Sequence, residues 1–279
     1  MITKILGAVT AASPQLKRRM WRGWYEFLAS GFAQSDWTFM NYGYETLPGK
    51  PERGLVWPPP LSPTDETDRC SIQLYHRVAA SVDLTGANVL EVGAGRGGGS
   101  SYIARYLHPA SVLGIDYSDK AVALSRQRHA SVPHLAFAQG DAENLPCPDS
   151  TFDAVVNVES SHCYGSMDQF LSEVRRVLKP GGYFLWADMQ GKGTWTAMRH
   201  TFERAGFVPR EAAPITPNVV RGLQAVEARK RGMINRHVPR VLARPFEDFA
   251  GVPGTRVYES LRAGNVEYWR AVLQKPMGK

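Results

Sequence analysis

Long apolar runs, paired cysteines and clusters of metal ligands are all missing from this chain of 279 residues. No apolar stretch approaches the roughly 20 residues that a membrane-spanning helix needs, so we expect no transmembrane segment. The three cysteines, Cys70, Cys147 and Cys163, are scattered and odd in number. They indicate neither a disulfide framework nor a metal site, and they suit a reducing cytoplasm. No group of His, Asp and Glu has ligand spacing, so metal-assisted catalysis is not predicted.

Strong charge of one sign is missing as well. The net charge of +7 is modest, and we interpret it as serving solubility rather than nucleic-acid binding. The basic residues are nevertheless uneven, because one late segment contains Arg221, Arg229, Lys230, Arg231, Arg236, Arg240 and Arg244. A nucleic-acid partner is therefore an alternative, and steep salt dependence of substrate binding would reveal it.

A glycine-rich turn between a strand and a helix is the most informative feature present. The apolar run Asn88–Val92 predicts a buried parallel strand. Glycines follow at positions 93, 95, 97, 98 and 99, and a helical pattern continues through Tyr102 and Ile103. This arrangement places bare backbone N–H groups against a nucleotide-like ligand, where a Cβ would collide with it. The turn alone fits NAD or FAD as well as other ligands.

The elements after the turn narrow the choice of ligand. Asp116 ends the next apolar run, about twenty residues past the glycines, where a carboxylate suits ribose hydroxyls. Ala136–Gly140 predicts a third strand, which the turn GDAENLP follows, and Ala154–Val158 predicts a fourth. The turn LKPGG then precedes a fifth strand predicted over Tyr183–Met189, and a closing strand is predicted over Val266–Gln274.

This ordered series resembles the class I S-adenosylmethionine (SAM)-dependent methyltransferases. The resemblance implies SAM as the cofactor and an α/β, Rossmann-like fold with a mostly parallel seven-stranded sheet. In that family the glycine turn approaches the methionine part of SAM, the acid after strand two holds the ribose, and the acid after strand three holds the adenine amino group. The implied cofactor contacts are Glu91 (near the methionine ammonium), Gly93, Ala94, Gly95, Asp116, Tyr117, Asp141, Ala142, Asn157, Tyr25 and Tyr42. A dehydrogenase is the weaker alternative, since neither GDAENLP nor LKPGG is expected of it.

We predict four segments along the chain. They are an N-terminal helical cap and linker (1–84), the SAM-binding core (85–213), an inserted substrate lid (214–264) and the closing strand (265–279). The cap has an aromatic helical face, which needs a partner. Trp21, Trp24, Tyr25 and Phe39 either line a hydrophobic substrate chamber or simply pack on the core. The same helix could instead cover a neighbouring subunit, so a homo-oligomer with exchanged N-terminal helices is an open alternative.

The segment NVESSHCYG after strand four contains the predicted catalytic residues. Methyl transfer is an in-line displacement, so the protein mainly positions the nucleophile and removes a proton. His162 is the predicted general base for an alcohol because its intrinsic pKa is near neutral; otherwise it bonds to the backbone and orders the loop. Glu159 either orients His162 or supports the cap from beneath.

A narrower resemblance extends through nearly the whole chain. WRGWYEFL, FMNYGYE, the basic segment before HVPR, and FAGVPGT resemble the mycobacterial phthiotriol and phenolphthiotriol dimycocerosate methyltransferases, which O-methylate a hydroxyl on a long lipid. VESSHCYGSMDQFLSEVRRVLKPGG is also similar to the sterol C-methyltransferases, whose loop carries a Glu and a His in the same places. Those enzymes form a carbocation, which aromatic rings would stabilise. We therefore predict O-methylation of a hydrophobic lipid, polyketide or terpenoid-type secondary metabolite. C-methylation of an isoprenoid double bond is the second hypothesis, and a SAM-binding scaffold without chemistry is the third.

Overall fold

The computed structural model describes residues 37–49 and 60–278. These residues form ten α-helices and seven strands, and one 3-10 turn (Ser161–Cys163). The helices are α1 (Pro63–Glu66), α2 (Arg69–Ala79), α3 (Gly98–Tyr106), α4 (Asp119–Arg128), α5 (Met167–Val177), α6 (Trp195–Arg204), α7 (Thr216–Ala225), α8 (Glu227–His237), α9 (Arg240–Phe249) and α10 (Arg256–Arg262). The strands are β1 (Asn88–Val92), β2 (Ser111–Asp116), β3 (Leu135–Gln139), β4 (Phe152–Val158), β5 (Leu178–Gly191), β6 (Val208–Pro214) and β7 (Val266–Gln274).

The seven strands form one sheet in the order β3-β2-β1-β4-β5-β7-β6. Strands β1 to β5 pair in parallel, and β7 runs antiparallel to both of its neighbours. The strand order changes direction between β1 and β4, because β2 and β3 lie on one side of β1 and β4 lies on the other. Ligands bind at such a switch point, at the carboxyl edge of the sheet. The predicted Rossmann-like fold and its mostly parallel seven-stranded sheet are confirmed.

Strand β5 begins earlier than the sequence predicts. The prediction places a turn at Pro180–Gly182 and starts the strand at Tyr183, whereas the strand runs from Leu178. The reason is pairing at the opposite end of β7: Gly181 donates to the Lys275 carbonyl, and Lys275 donates to the Gly182 carbonyl. Backbone hydrogen bonds from the end of the chain therefore hold the glycines in the sheet.

Both faces of the sheet are covered by helices, and β4 is apolar on both sides. Ala154, Val156 and Val158 pack into the cluster beneath α2, α3, α7 and α10, while Phe152 and Val155 pack into the cluster beneath α5 and α6. A parallel strand buried on both faces is a continuous apolar run. This is why the sequence predicts β4 so clearly.

The segment before the last strand consists of four helices, α7 to α10. Helices α8 and α9 form a hairpin whose inner face contains Ile234, Val238 and Phe246. This face packs against Trp37 and Met40. The predicted insertion is therefore helical, and it contacts residues that precede the core in sequence.

Residues 37–49, which we call the strap, run across the carboxyl edge of the sheet. Tyr44 donates to the Cys70 carbonyl at 2.8 Å, and Glu45 donates to the Asn218 carbonyl at 3.1 Å. A Cβ at Gly222 of α7 would lie 2.8 Å from the strap backbone at Tyr44. Glycine at 222 thus allows the helix and the strap to touch backbone to backbone.

The aromatic N-terminal helix predicted around Trp21, Trp24 and Tyr25 lies outside the described residues, so its role and the proposed helix exchange stay predictions. Across the described ranges, no helix is both long enough and apolar enough to cross a membrane.

Candidate active site

A cavity opens at the carboxyl ends of β1, β2 and β4, beneath the strap. One side consists of the glycine turn and the loops after β2 and β3, and the other side consists of the strap and the loop after β4. The predicted site residues that line it are Phe39, Tyr42, Gly93, Ala94, Gly95, Asp116, Tyr117, Asp141, Ala142, Glu159 and His162. The fold therefore brings together residues that are separated by more than a hundred positions in the sequence.

The glycines of the turn serve different purposes. A Cβ at Gly93 would meet Ser160 Oγ at 2.4 Å, and one at Gly99 would meet the Tyr75 ring at 2.0 Å, so packing requires these two glycines. At Gly95 the nearest atom is Met40 Sδ at 3.6 Å, an ordinary contact, and the φ angle is +54°. Gly95 is thus needed for its left-handed backbone, and it leaves room on the cavity side.

Two acids lie on the side of the cavity that the glycine turn and the loops after β2 and β3 form. Asp116 accepts from the backbone N–H of Gly95 at 2.8 Å and of Ser118 at 2.9 Å. Burial raises the pKa of Asp116, and these N–H groups oppose the change. Asp141 Oδ1 accepts from the Glu143 N–H at 2.9 Å, which fixes the turn after β3. Both carboxylates are held by backbone amides and so keep a defined orientation.

Two predicted cofactor residues lie behind the cavity wall. Glu91 is fully buried, and its carboxylate accepts from Tyr75 Oη at 2.6 Å and from the Ser100 hydroxyl. Burial raises the pKa of Glu91 to about 7. Asn157 is also fully buried, and its amide donates to the Val92 carbonyl at 2.9 Å. These contacts support the glycine turn from beneath, and a direct role in holding the cofactor stays a prediction.

His162 is bonded to a carboxylate that the sequence reasoning did not single out. Its Nδ1 lies 2.7 Å from Asp188 Oδ1, and its backbone N–H donates to Asp188 Oδ2 at 2.9 Å. Ser161 Oγ and the Met189 N–H also donate to Asp188, at 2.6 and 2.7 Å. Asp188 is fully buried, whereas the His162 side chain is 25% exposed.

The pKa values of this pair move apart. Burial alone would lower the pKa of His162, but the charge of Asp188, its hydrogen bond to the ring and the neighbouring Cys163 together outweigh burial and raise that pKa well above its usual range. Burial would raise the pKa of Asp188, but His162 and the other hydrogen bonds lower it. Asp188 is therefore the anion of the pair. The available signal was its position, since it directly follows Ala187, the last residue of β5 that pairs with β4.

Glu159 has different partners. Its Oε1 accepts from the Tyr42 backbone N–H at 2.8 Å and from Tyr268 Oη at 2.9 Å. Burial raises the pKa of Glu159 to about 7, and the opposing influences include the charge of Lys230. Burial in turn lowers the pKa of Lys230 to about 8. Both hydrogen bonds of Glu159 tie the strap and β7 to the end of β4, so the geometry favours the supporting role over the orientation of His162.

Aromatic side chains from the strap complete the cavity. Tyr42 Oη donates to the Phe249 carbonyl at 3.1 Å, and the Lys230 ammonium lies 5.5 Å from the centre of the Tyr42 ring. Phe39 is buried against Tyr75, with ring centroids 5.9 Å apart. Within residues 37–49 and 60–278, no group of three or more His, Cys, Asp and Glu side chains is arranged to hold a metal ion.

Comparisons with known proteins show the family to which the chain belongs. A family model described as a methyltransferase domain matches residues 90–186. The phthiotriol/phenolphthiotriol dimycocerosates methyltransferase of Mycobacterium tuberculosis is 40% identical over 258 residues, which cover 92% of this chain and 93% of that protein. The fatty-acid O-methyltransferase of Mycolicibacterium smegmatis is 40% identical over 252 residues, which cover 90% and 88% of the two chains.

Solved structures share the fold. The geranyl diphosphate C-methyltransferase from Streptomyces coelicolor, solved with S-adenosyl-L-homocysteine, superposes with a TM-score of 0.63. The match covers 93% of this chain and 97% of that one at 15% identity, so it supports the fold alone. From the whole-length similarity to the mycobacterial enzymes, the chain belongs to their family and is a SAM-dependent methyltransferase.

Proposed function

We propose that the enzyme methylates a hydroxyl group of a hydrophobic lipid, polyketide or terpenoid-type acceptor, with His162 as the general base. The observation that carries this proposal is the His162–Asp188 pair at the wall of the cavity. An alcohol needs a base when its oxygen attacks, and His162 is a partly exposed imidazole bonded to a buried carboxylate.

The residues of the glycine side fit SAM. Gly95 leaves the cavity side of the turn open, and the Asp116 and Asp141 carboxylates line the adjacent wall. We assign the methionine part to Gly93 and Gly95, the ribose to Asp116 and the adenine amino group to Asp141. When bound, SAM supplies an electrophilic methyl group attached to a positively charged sulfur.

The side chains of the enzyme itself remove the proton from the acceptor. In the neutral form of His162, the Nδ1–H donates to the ionised Asp188, and Nε2 carries no proton and can accept one. The acceptor hydroxyl would lose its proton to Nε2 as its oxygen bonds to the methyl carbon, and the methyl–sulfur bond of SAM would break to release S-adenosylhomocysteine with a neutral sulfur. The resulting imidazolium is stabilised by Asp188. Asp188 is therefore a positioning residue that also compensates the charge.

The hydrophobic acceptor is supported by the lining of the cavity and by the relatives. Phe39, Met40, Met189 and Phe249 contribute apolar surface. The two mycobacterial relatives carry names that refer to lipid substrates, a phthiotriol dimycocerosate and a fatty acid.

C-methylation of an isoprenoid double bond is the second candidate. It is favoured by Glu159, a buried carboxyl whose pKa of about 7 suits proton removal from a carbocation. Tyr42, whose backbone N–H bonds to Glu159, lines the cavity and has an aromatic ring of the kind that could stabilise such a cation. Under this hypothesis, replacing Trp21, Tyr25 or Tyr42 with a small residue should lower turnover more than binding.

The product of the reaction distinguishes the two candidates. The purified enzyme is incubated with SAM carrying a labelled methyl group and with a lipid-soluble extract of its host, and the labelled product is located by mass spectrometry. A methyl resonance at the shift of an O–CH₃ group supports the proposal. A methyl group on carbon overturns it in favour of the second candidate. Binding of SAM without transfer to any metabolite would return us to the scaffold hypothesis.

The role of His162 is tested on the identified acceptor. His162→Ala should lower kcat by ~10²–10⁴-fold, the usual contribution of a general base. His200→Ala is the matched control, because His200 is an exposed histidine on α6. A loss of only a few-fold in His162→Ala would remove His162 as the base.

A further inference from the structure

The α8–α9 hairpin concentrates positive charge. Residues 228–246 contain six arginines and lysines and no aspartate or glutamate, although the chain has 26 acidic residues. This run spans most of α8, the turn between the helices and most of α9. The basic character of the chain is therefore largely a property of one structural unit.

Part of this charge is not neutralised. Arg231 pairs with Glu247 at 2.9 Å. Arg236 donates instead to the Gly232 carbonyl at 3.3 Å, and both Arg236 and Arg240 are exposed near the turn of the hairpin. Among the described residues, no carboxylate forms an ion pair with either of them. Both guanidinium groups are therefore available to an anion outside the chain.

An apolar side chain stands among these cations. Val241 is 84% exposed, next to Arg240 in sequence. Arg244, one helical turn after Arg240, is also exposed. Cations that flank an exposed apolar side chain are typical of segments that lie at a membrane interface, where the charges meet headgroups and the apolar group enters the acyl boundary.

The other face of the hairpin reaches the cavity. Ile234, Val238 and Phe246 pack with Met40. Met40 and Phe249 both line the cavity. The charged surface and the cavity wall are thus opposite faces of the same pair of helices.

We propose that the α8–α9 hairpin docks on an anionic lipid surface through Arg236, Arg240 and Val241, and that the acceptor reaches the cavity from that surface. This inference rests on the hydrophobic acceptor of the proposed function. A lipid acceptor is held in a membrane at equilibrium, so an enzyme that contacts the bilayer beside its cavity shortens the transfer through water. A nucleic acid would satisfy the arginines but would leave Val241 unexplained.

Vesicle co-sedimentation tests the docking. Wild-type enzyme should bind vesicles of phosphatidylcholine and phosphatidylglycerol in equal parts, should bind phosphatidylcholine vesicles far more weakly, and should lose affinity as salt is raised. Arg236→Gln with Arg240→Gln should weaken binding roughly 25-fold, since each arginine near an anionic surface contributes roughly five-fold. The matched control is Arg199→Gln with Arg204→Gln on α6, which changes the net charge equally and should bind like the wild type.

Three results would overturn the docking proposal: equal binding to both vesicle types, an equal loss in the control pair, or tighter binding to duplex DNA than to anionic vesicles at the same salt. Methyl transfer to an acceptor dissolved in detergent separates docking from chemistry. The Arg236/Arg240 variant should keep the wild-type rate there and lose rate only on acceptor embedded in anionic vesicles. Wild-type enzyme that binds vesicles but methylates no hydrophobic acceptor in detergent would support docking while contradicting the proposed function.

Discussion

Two buried carboxylates lie where the neighbouring strands β4 and β5 stop pairing, and their surroundings make them chemically different. Asp188, in β5 directly after that pairing, has a histidine and two backbone N–H groups as partners, and its pKa is lowered. Glu159, after β4, is bonded to a tyrosine and one backbone N–H, and burial raises its pKa to about 7. Groups whose environments push their pKa values apart mark the division of acid and base roles in an active site. The comparison teaches that the ionised acid belongs to His162 and the nearly neutral acid to the strap.

The largest expected effect on activity comes from a substitution of Asp188. Asp188→Asn should lower kcat by ~10²–10⁴-fold, because the amide no longer fixes the tautomer of His162 or stabilises its cation. Steady-state kinetics with the identified acceptor measures this loss. Asp168→Asn, an exposed acid on α5, is the matched control and should keep wild-type activity.

The same kinetic assay tests whether Asp188 or Glu159 takes part in proton removal. Glu159→Gln keeps an oxygen that accepts from Tyr42 and Tyr268, so under the proposed function its kcat should fall by less than about ten-fold. A reversed ranking, with Glu159→Gln far more damaged than Asp188→Asn, would assign proton removal to Glu159. It would favour C-methylation.

Glu159 should instead be visible in a stability measurement. Its pKa is 4.5 ordinarily and about 7 in the folded chain, so the folded state holds a proton that the unfolded state loses. The contribution of Glu159 to the free energy of unfolding therefore falls by roughly 3 kcal/mol as pH rises from about 4.5 to about 7. Glu159→Gln lacks this titration and should gain stability relative to wild type across that window. Urea unfolding at several pH values measures the difference, and parallel pH curves for the two proteins would contradict the assigned pKa.

The pH dependence of catalysis tests the role of His162 as the general base. His162 acts as a base only when it is neutral, and its pKa is raised by Asp188. For an alcohol acceptor, kcat/KM should therefore rise with pH and reach its midpoint above 6.5. In Asp188→Asn burial remains without the compensating charge, so the midpoint of the residual activity should move to lower pH. An unchanged midpoint would mean that another group titrates.

The smallest expected effect is at Tyr268. Tyr268→Phe removes one hydrogen bond to Glu159 and should cost about 1 kcal/mol of unfolding free energy. It should also raise the pKa of Glu159, because that bond stabilises the ionised form. The shift would appear in the urea–pH series as a wider window of falling stability. No change in either quantity would show that the tyrosine hydroxyl does not support Glu159.

The sheet was predictable because its signals are local. Continuous apolar runs predict the buried parallel strands, and the glycine turn predicts the junction between β1 and α3. The start of β5 was not predictable, because pairing with Lys275, 94 positions after Gly181, decides it. Local patterns show which residues form strands, and distant backbone partners decide where the strands begin.

The site was predictable in its residue types but not in its pairing. His162 and Glu159 follow a recognisable strand, yet the partners of Glu159 lie 117 and 109 positions away. Asp188 is simply the last acid of an apolar run until β4 and β5 are placed side by side. For Glu91 the resemblance predicts a contact with the cofactor, whereas in the fold its carboxylate is bonded to Tyr75 and Ser100.

The close approach of Gly222 to the strap matters for anyone who redesigns this enzyme. A side chain at position 222 would push on the backbone at Gly43 and Tyr44, which continues directly into Tyr42. Directed evolution aimed only at residues lining the cavity would overlook position 222, which lies outside the cavity. We expect substitutions at position 222 to displace the cavity wall at Tyr42 without replacing any residue that lines the cavity.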